Sequence, residues 1–101
     1  MYLVFDTETT GLPSNFDAPI SDTNNWPRVV QLAWQIHDEM GVLLYQKDFI
    51  IKPVGYNIPI KSQEIHGISS GLAELLGEEM ADVLAMFKDD LSKFDFVVGH
   101  N

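Results

Sequence analysis

Apolar and polar residues alternate cleanly from Val29 to Asp38 (VVQLAWQIHD), with Val30, Leu32, Trp34 and Ile36 on one face and Gln31, Ala33, Gln35 and His37 on the other. A period of two predicts a half-buried antiparallel strand. Glu39-Met40-Gly41 predicts a turn, with Gly41 free to take φ > 0. Val42 to Lys52 then reads as the partner strand, placing Leu43, Tyr45, Phe49 and Ile51 on its apolar face. Tyr2 to Asp6 supplies the third strand that such a hairpin needs for stability.

The period changes between Glu78 and Phe94, where Met80, Val83, Leu84, Phe87, Leu91 and Phe94 recur every three or four residues. That stripe predicts an amphipathic helix laid on the sheet. Glu78 and Glu79 suit the positive end of its dipole and Lys93 the negative end. A shorter helix is predicted up to Leu76, capped by Ser69 or Ser70 and stopped by Gly77. Phe96-Val97-Val98 predicts one more strand. Pro13 to Pro27, with three prolines among Ser, Asn and Asp, is expected to be irregular. It reads as a surface insertion in preference to a substrate-contacting lid, its far end pinned to the core by Trp26. Lys52 to Pro59 is a second connector. The resulting order, three strands, a short helix, a long helix and a strand, is that of an α/β chain.

Composition narrows the function more than the fold. At 101 residues the chain is one domain at most. The absence of cysteine excludes disulfides and thiolate metal sites. No stretch approaches the roughly 20 apolar residues of a membrane span, and the first apolar run is too short for a signal peptide. The expectation is a soluble, cytoplasmic protein with no membrane partner. A formal charge of −9 argues against a binder that grips nucleic acid through a basic face. It leaves room for an enzyme that meets phosphates through bound cations, which reverse the local field.

The candidate chemistry sits at the start of the chain, in Phe5 to Leu12 (FDTETTGL). Asp6 and Glu8 are two residues apart on a strand, so both side chains point the same way, with Cα atoms roughly 6.5–7 Å apart. Thr9-Thr10-Gly11 then breaks the strand and leaves the acids where a substrate reaches them. Paired carboxylates with open positions suit a hard cation, Mg²⁺ or Mn²⁺. A bare D-x-E is common among solvated acids, and the full octet is far more specific. His66, in Ile65-His66-Gly67-Ile68, reads on its own as an exposed or capping histidine.

The octet FDTETTGL resembles the first motif of the DEDD superfamily of 3′→5′ exonucleases, especially its epsilon-subunit-like proofreading members. The IHGI stretch is also similar to that group, and Val97-Val98-Gly99-His100-Asn101 resembles the beginning of the second motif. The resemblance implies a ribonuclease-H-like fold, of which residues 1–101 form the N-terminal portion: a three-stranded antiparallel sheet, helices, then a further strand. It implies hydrolysis of phosphodiesters from the 3′ end with two divalent cations, Mg²⁺ or Mn²⁺. Asp6 and Glu8 correspond to the first two metal-binding, catalytic acids, with Asp6 the one to bridge both ions. Thr9, Gly11 and Leu12 would shape the pocket of the terminal nucleotide, through backbone N–H groups of the Thr9–Gly11 turn and packing of Leu12. His66 would contact the same nucleotide.

The implied partners are nucleic acid with a free 3′ end, single-stranded DNA ahead of RNA, and a DNA polymerase. The acid of the second motif would lie just beyond Asn101 and the third motif further on, so the chain as it stands is expected to be catalytically very weak or dead. Asp89, Asp90 and Asp95 are not placed to substitute. With part of the domain missing, the Met80–Phe94 stripe is expected to bury only partly, or through a homodimer. Other readings are an RNA-trimming relative, a non-catalytic interaction module that keeps part of the fold, and an acidic metal-binding domain unconnected with nucleic acid.

Overall fold

The computed structural model describes residues 1–100, and Asn101, the last residue of the expected second-motif fragment, lies outside them. Strand β1 (Tyr2–Thr9) pairs antiparallel with β2 (Val29–His37), which pairs antiparallel with β3 (Leu43–Ile50). Helices α1 (Ile60–His66), α2 (Ser70–Leu76) and α3 (Met80–Leu91) follow, and β4 (Phe96–Gly99) then joins the free edge of β1 in parallel, giving the order β3-β2-β1-β4. The three antiparallel strands and the later fourth strand are those the alternation predicts. No described helix is long and apolar enough to cross a membrane.

The alternating strand β2 sends Leu32, Trp34 and Ile36 into a core shared with Leu3, Ile51 and Val83. Phe5, Phe49, Met80, Met86, Phe87, Leu91 and Phe94 pack around it, so the long helix lies on one face of the sheet. Phe87 meets Trp34 edge-on at 5.0 Å and Phe5 at 5.4 Å. As expected, the stripe buries only partly: Val83 is fully buried, and Met80, Phe87, Leu91 and Phe94 are partly buried against the sheet. Leu84 is the exception at 48% exposed, because it sits on the flank of the stripe, and Met86 is turned inward instead.

The long helix is also shorter than its apolar period. Glu78 N–H donates to Ile50 O (2.8 Å) and Lys52 N–H to Glu78 O (2.9 Å), so Glu78 belongs to a bridge with the end of β3. Glu79 becomes the N-cap and Met80 the first helical residue. Gly77 lies so close to that strand end that a Cβ there would stand 2.5 Å from Lys52 N and 2.2 Å from Ala73 O. Ser69 caps α2 as expected, its Oγ accepting from Leu72 N–H (3.0 Å).

Helix α1 was not expected from the sequence. Pro59 opens it, and Gly67 ends it in the left-handed region at φ +77°, donating to Gln63 O at 2.7 Å. A second, smaller core of Val30, Ile58, Ile68 and Ala73 holds α1 and α2 at one end of the sheet. The Pro13–Pro27 loop is tied to itself: Trp26 Nε1–H donates to Pro19 O (2.9 Å), a loop carbonyl, so Trp26 braces the loop internally.

Among the described residues, no helix covers the opposite face of the sheet. That face presents Tyr2, Val4, Asp6 and Glu8 from β1, Gln31 and Gln35 from β2, Gln46 and Asp48 from β3, and Phe96 and Val98 from β4. The Cα radius of gyration is 14.6 Å, against roughly 13 Å for a compact chain of this length.

Candidate metal and nucleotide site

Strand β1 runs to Thr9, beyond the Asp6 limit read from its apolar residues, because it stays paired with β2 as far as Thr9 and Val29. On its other edge β4 reaches only Gly99, opposite Phe5. Asp6 and Glu8 therefore lie past the carboxyl end of the parallel β1–β4 pair, the position where open α/β sheets bind ligands. Both project from the open face, away from α3. The Asp6 side chain is 47% exposed. Its Oδ1 accepts from Thr7 N–H at 2.9 Å and stands 3.5 Å from His100 Nδ1.

His100, which the sequence marks only as part of the VVGHN stretch, joins Asp6. Its N–H donates to Phe5 O at 2.9 Å, continuing the parallel register by one residue, and this brings its ring beside Asp6. Aligning FVVGH in parallel with YLVFD would have revealed the pair.

Glu8 lines a cleft of about 160 Å³ together with Thr9, Gly11, Leu12 and His66, to which the structure adds Ser62 and Ile65 from α1. Asp6 lies one strand step away and lines an adjoining depression with His100. Thus five of the six expected site residues share one cleft and the sixth adjoins it. Leu12 is exposed within this wall. Gly11 sits at φ +151°, a conformation that residues with a Cβ rarely adopt.

The turn itself differs from expectation in its backbone donors. Thr10 N–H donates to Arg28 O at 2.9 Å, and Gly11 N–H makes a long 3.4 Å contact to Thr9 Oγ1. Thr10 O accepts from Ser62 Oγ, locking α1 to the turn (2.6 Å). The turn's amides are therefore largely engaged within the protein.

His66 offers a donor instead. Its Nδ1 accepts from Ile68 N–H (3.1 Å), so the ring proton belongs on Nε2. Among the described residues Nε2 is a buried side-chain atom with no hydrogen-bond partner. A buried donor without a partner costs on the order of 1–3 kcal/mol. Gly67 makes the arrangement possible, since the left-handed residue folds Ile68 back over the imidazole.

Two carboxylates on one face are the right donor chemistry for a hard cation but an incomplete set. No group of three or more Asp, Glu, His or Cys side chains among the described residues is placed to hold a metal. Asp90 is committed elsewhere: it is 1% exposed on the α3 side of the sheet. It accepts from Trp34 Nε1 (2.8 Å), Lys47 Nζ (3.0 Å) and Tyr45 OH (3.1 Å). Burial alone would push its carboxyl up, but the bonds from Trp34, Lys47 and Tyr45, with the Lys47 charge, outweigh that and hold it below the ordinary carboxylate range.

No family model matches the chain, and no curated protein matches it in sequence. Solved structures do. E. coli exonuclease I in complex with a 5cy-dA13 oligonucleotide superposes with a TM-score of 0.78 at 22% identity, over 99% of this chain and 20% of that one. A complex of ExoI with SSB-Ct gives the same values. A product-bound structure of exonuclease I gives 0.78 at 22% identity, over 99% of this chain and 22% of that one. The chain thus spans about a fifth of the length of these structures, and what it shares with them is the fold: the N-terminal, ribonuclease-H-like region of exonuclease I.

Proposed function

We propose that the protein carries the first metal-binding acids and the terminal-nucleotide cleft of a divalent-cation-dependent 3′→5′ exonuclease, with single-stranded DNA favoured over RNA. The observation that carries the reading is the cleft that brings Glu8, Thr9, Gly11, Leu12 and His66 together at the carboxyl end of β1. The fold shared with exonuclease I, solved with a dA13 oligonucleotide, supports nucleic acid as the ligand class. Proofreading or repair, with a DNA polymerase as partner, rests on the FDTETTGL and IHGI resemblance alone.

In this reading Asp6 and Glu8 would hold the divalent cations, Mg²⁺ or Mn²⁺, from the open face of β1. When bound, such cations would supply activation of a water for attack on the phosphodiester and charge stabilisation of the departing 3′ oxygen. The protein's own residues bind and orient. Leu12 packs against the base, Gly11 allows the turn beneath it, and His66 lines the same pocket and contacts the terminal nucleotide. The incomplete donor set favours a second reading for residues 1–100 alone: they bind a 3′ end while hydrolysing it very weakly.

The test is binding and nucleotide release with a 3′-labelled single-stranded oligonucleotide, in Mg²⁺, in Mn²⁺ and in chelator, for the protein and Asp6→Ala. Cation-dependent binding that Asp6→Ala removes, with little release, is expected. Binding or release indifferent to both cation and Asp6 would place the site elsewhere.

A further inference from the structure

The Pro13–Pro27 loop is more than an insertion. It is cross-braced: Asn15 N–H donates to Asn25 Oδ1 (2.7 Å), Asn25 Nδ2 returns to Asn15 O (2.9 Å), and Trp26 Nε1–H holds Pro19 O. The braces frame a cavity of about 550 Å³ lined by Ile20, Thr23, Trp26, Pro27 and Arg28, much larger than the roughly 160 Å³ cleft beside Glu8. One wall is an indole. Another is Ile20, 91% exposed with nothing covering it.

At the rim stands Arg28, the only arginine in a chain of net charge −9. Its guanidinium lies over the Tyr56 ring at 5.2 Å and has no carboxylate partner among the described residues. The loop's own acids, Asp17 and Asp22, do not line the cavity. An aromatic wall beside an unpaired guanidinium is the chemistry that stacks a base and holds its phosphate on single-stranded nucleic acid.

The wall of the cavity is hydrogen-bonded to the chain that forms the cleft. Arg28 N–H donates to Thr10 Oγ1 (2.9 Å) and Arg28 O accepts from Thr10 N–H (2.9 Å), and Thr10 lies between Thr9 and Gly11 of the cleft wall. We propose that this cavity is a second nucleotide subsite, in which Trp26 and Ile20 sandwich a base of the strand upstream of its 3′ end and Arg28 holds that nucleotide's phosphate. The inference rests on the 3′-end reading and extends it to the length of strand engaged.

The two are separable by ligand length. With Mg²⁺ present, the affinities of a thymidine dinucleotide and of dT12 are measured for the protein, Asp6→Ala, Arg28→Gln and Ile20→Glu. Trp26 fluorescence reports the cavity directly, because the other tryptophan, Trp34, is buried at 1% exposure. Arg28 and Ile20 are exposed side chains, so neither variant endangers the fold. The proposal predicts quenching of Trp26 by dT12, and dT12 binding weakened about tenfold by Arg28→Gln and by Ile20→Glu while dinucleotide binding is unchanged. dT12 affinity unchanged from the parent protein in both variants overturns it, as does quenching by a proline-rich peptide with none by dT12. Loss of the Asp6 dependence with the Arg28 effect intact would instead sink the 3′-end reading and leave a nucleic-acid cavity standing.

Discussion

The two faces of the sheet hold aspartates in opposite circumstances. On the α3 face, Asp90 is buried and accepts from Trp34, Tyr45 and Lys47. On the open face, Asp6 is half exposed and accepts one adjacent amide, with His100 3.5 Å away. The same side chain is structural where its lone pairs are satisfied and available for chemistry where they are not. Position on the sheet decides which: α3 closes one face with aromatic and aliphatic side chains, and nothing in residues 1–100 closes the other.

The comparison breaks most sharply at Asp90. Asp90→Ala strands Trp34 Nε1–H and the Lys47 ammonium at the core boundary, and is expected to cost about 3–5 kcal/mol in chemical denaturation. Asp6→Ala should stay within about 0.5 kcal/mol of the parent, because it removes an exposed, weakly bonded group. Equal destabilisation by the two would erase the distinction.

Gly77→Ala comes next. Its Cβ would meet backbone atoms of Ala73 and Lys52 that cannot rotate away, and a loss of about 2–3 kcal/mol is expected. Thermal melts would show it.

The acid side sharpens the contrast further. Asp90's carboxyl is held below its ordinary value, so it stabilises the fold above the unfolded-state pKa, near 4, and that stability drains as pH falls through the lower folded value. Denaturation midpoints between pH 6 and pH 2 should therefore fall in the protein, and the Asp90 share of that fall should vanish in Asp90→Asn. An unchanged slope in the variant would mean that other carboxylates carry it. The smallest effect belongs to Leu84→Ala, under about 1 kcal/mol, against about 3–5 kcal/mol for Phe87→Ala on the covered side of the same helix.

Much of this was legible in the sequence. The two-residue period of β2 gave its buried face residue by residue, and Ser69 and Gly77 bounded α2. The face-sharing of Asp6 and Glu8 follows from strand geometry alone. What escaped had specific causes. Helix α1 is short and has no apolar period, since Ile60 and Ile65 are exposed, so only Pro59 and Gly67 mark it. Glu78 looks helical because it precedes an apolar stripe, yet its backbone pairs with β3, a long-range contact that no local pattern encodes. Asp90 falls inside the α3 stripe, three residues after Phe87 and seven after Val83, and its polarity hid its burial. His100 required knowing that β4 pairs in parallel with β1. The free Nε2 of His66 depends on a backbone fold-back that appears only once Gly67 is placed.

The measurement that bears most directly on the open-face site is Mn²⁺ binding followed by electron paramagnetic resonance, with and without dT12, for the protein, Asp6→Asn and Asp90→Asn. Mn²⁺ uptake that rises when dT12 is present, disappears in Asp6→Asn and survives in folded Asp90→Asn is the predicted result. Uptake unchanged by Asp6→Asn, or indifferent to the oligonucleotide, would contradict a cation-dependent 3′-end site at the carboxyl end of β1.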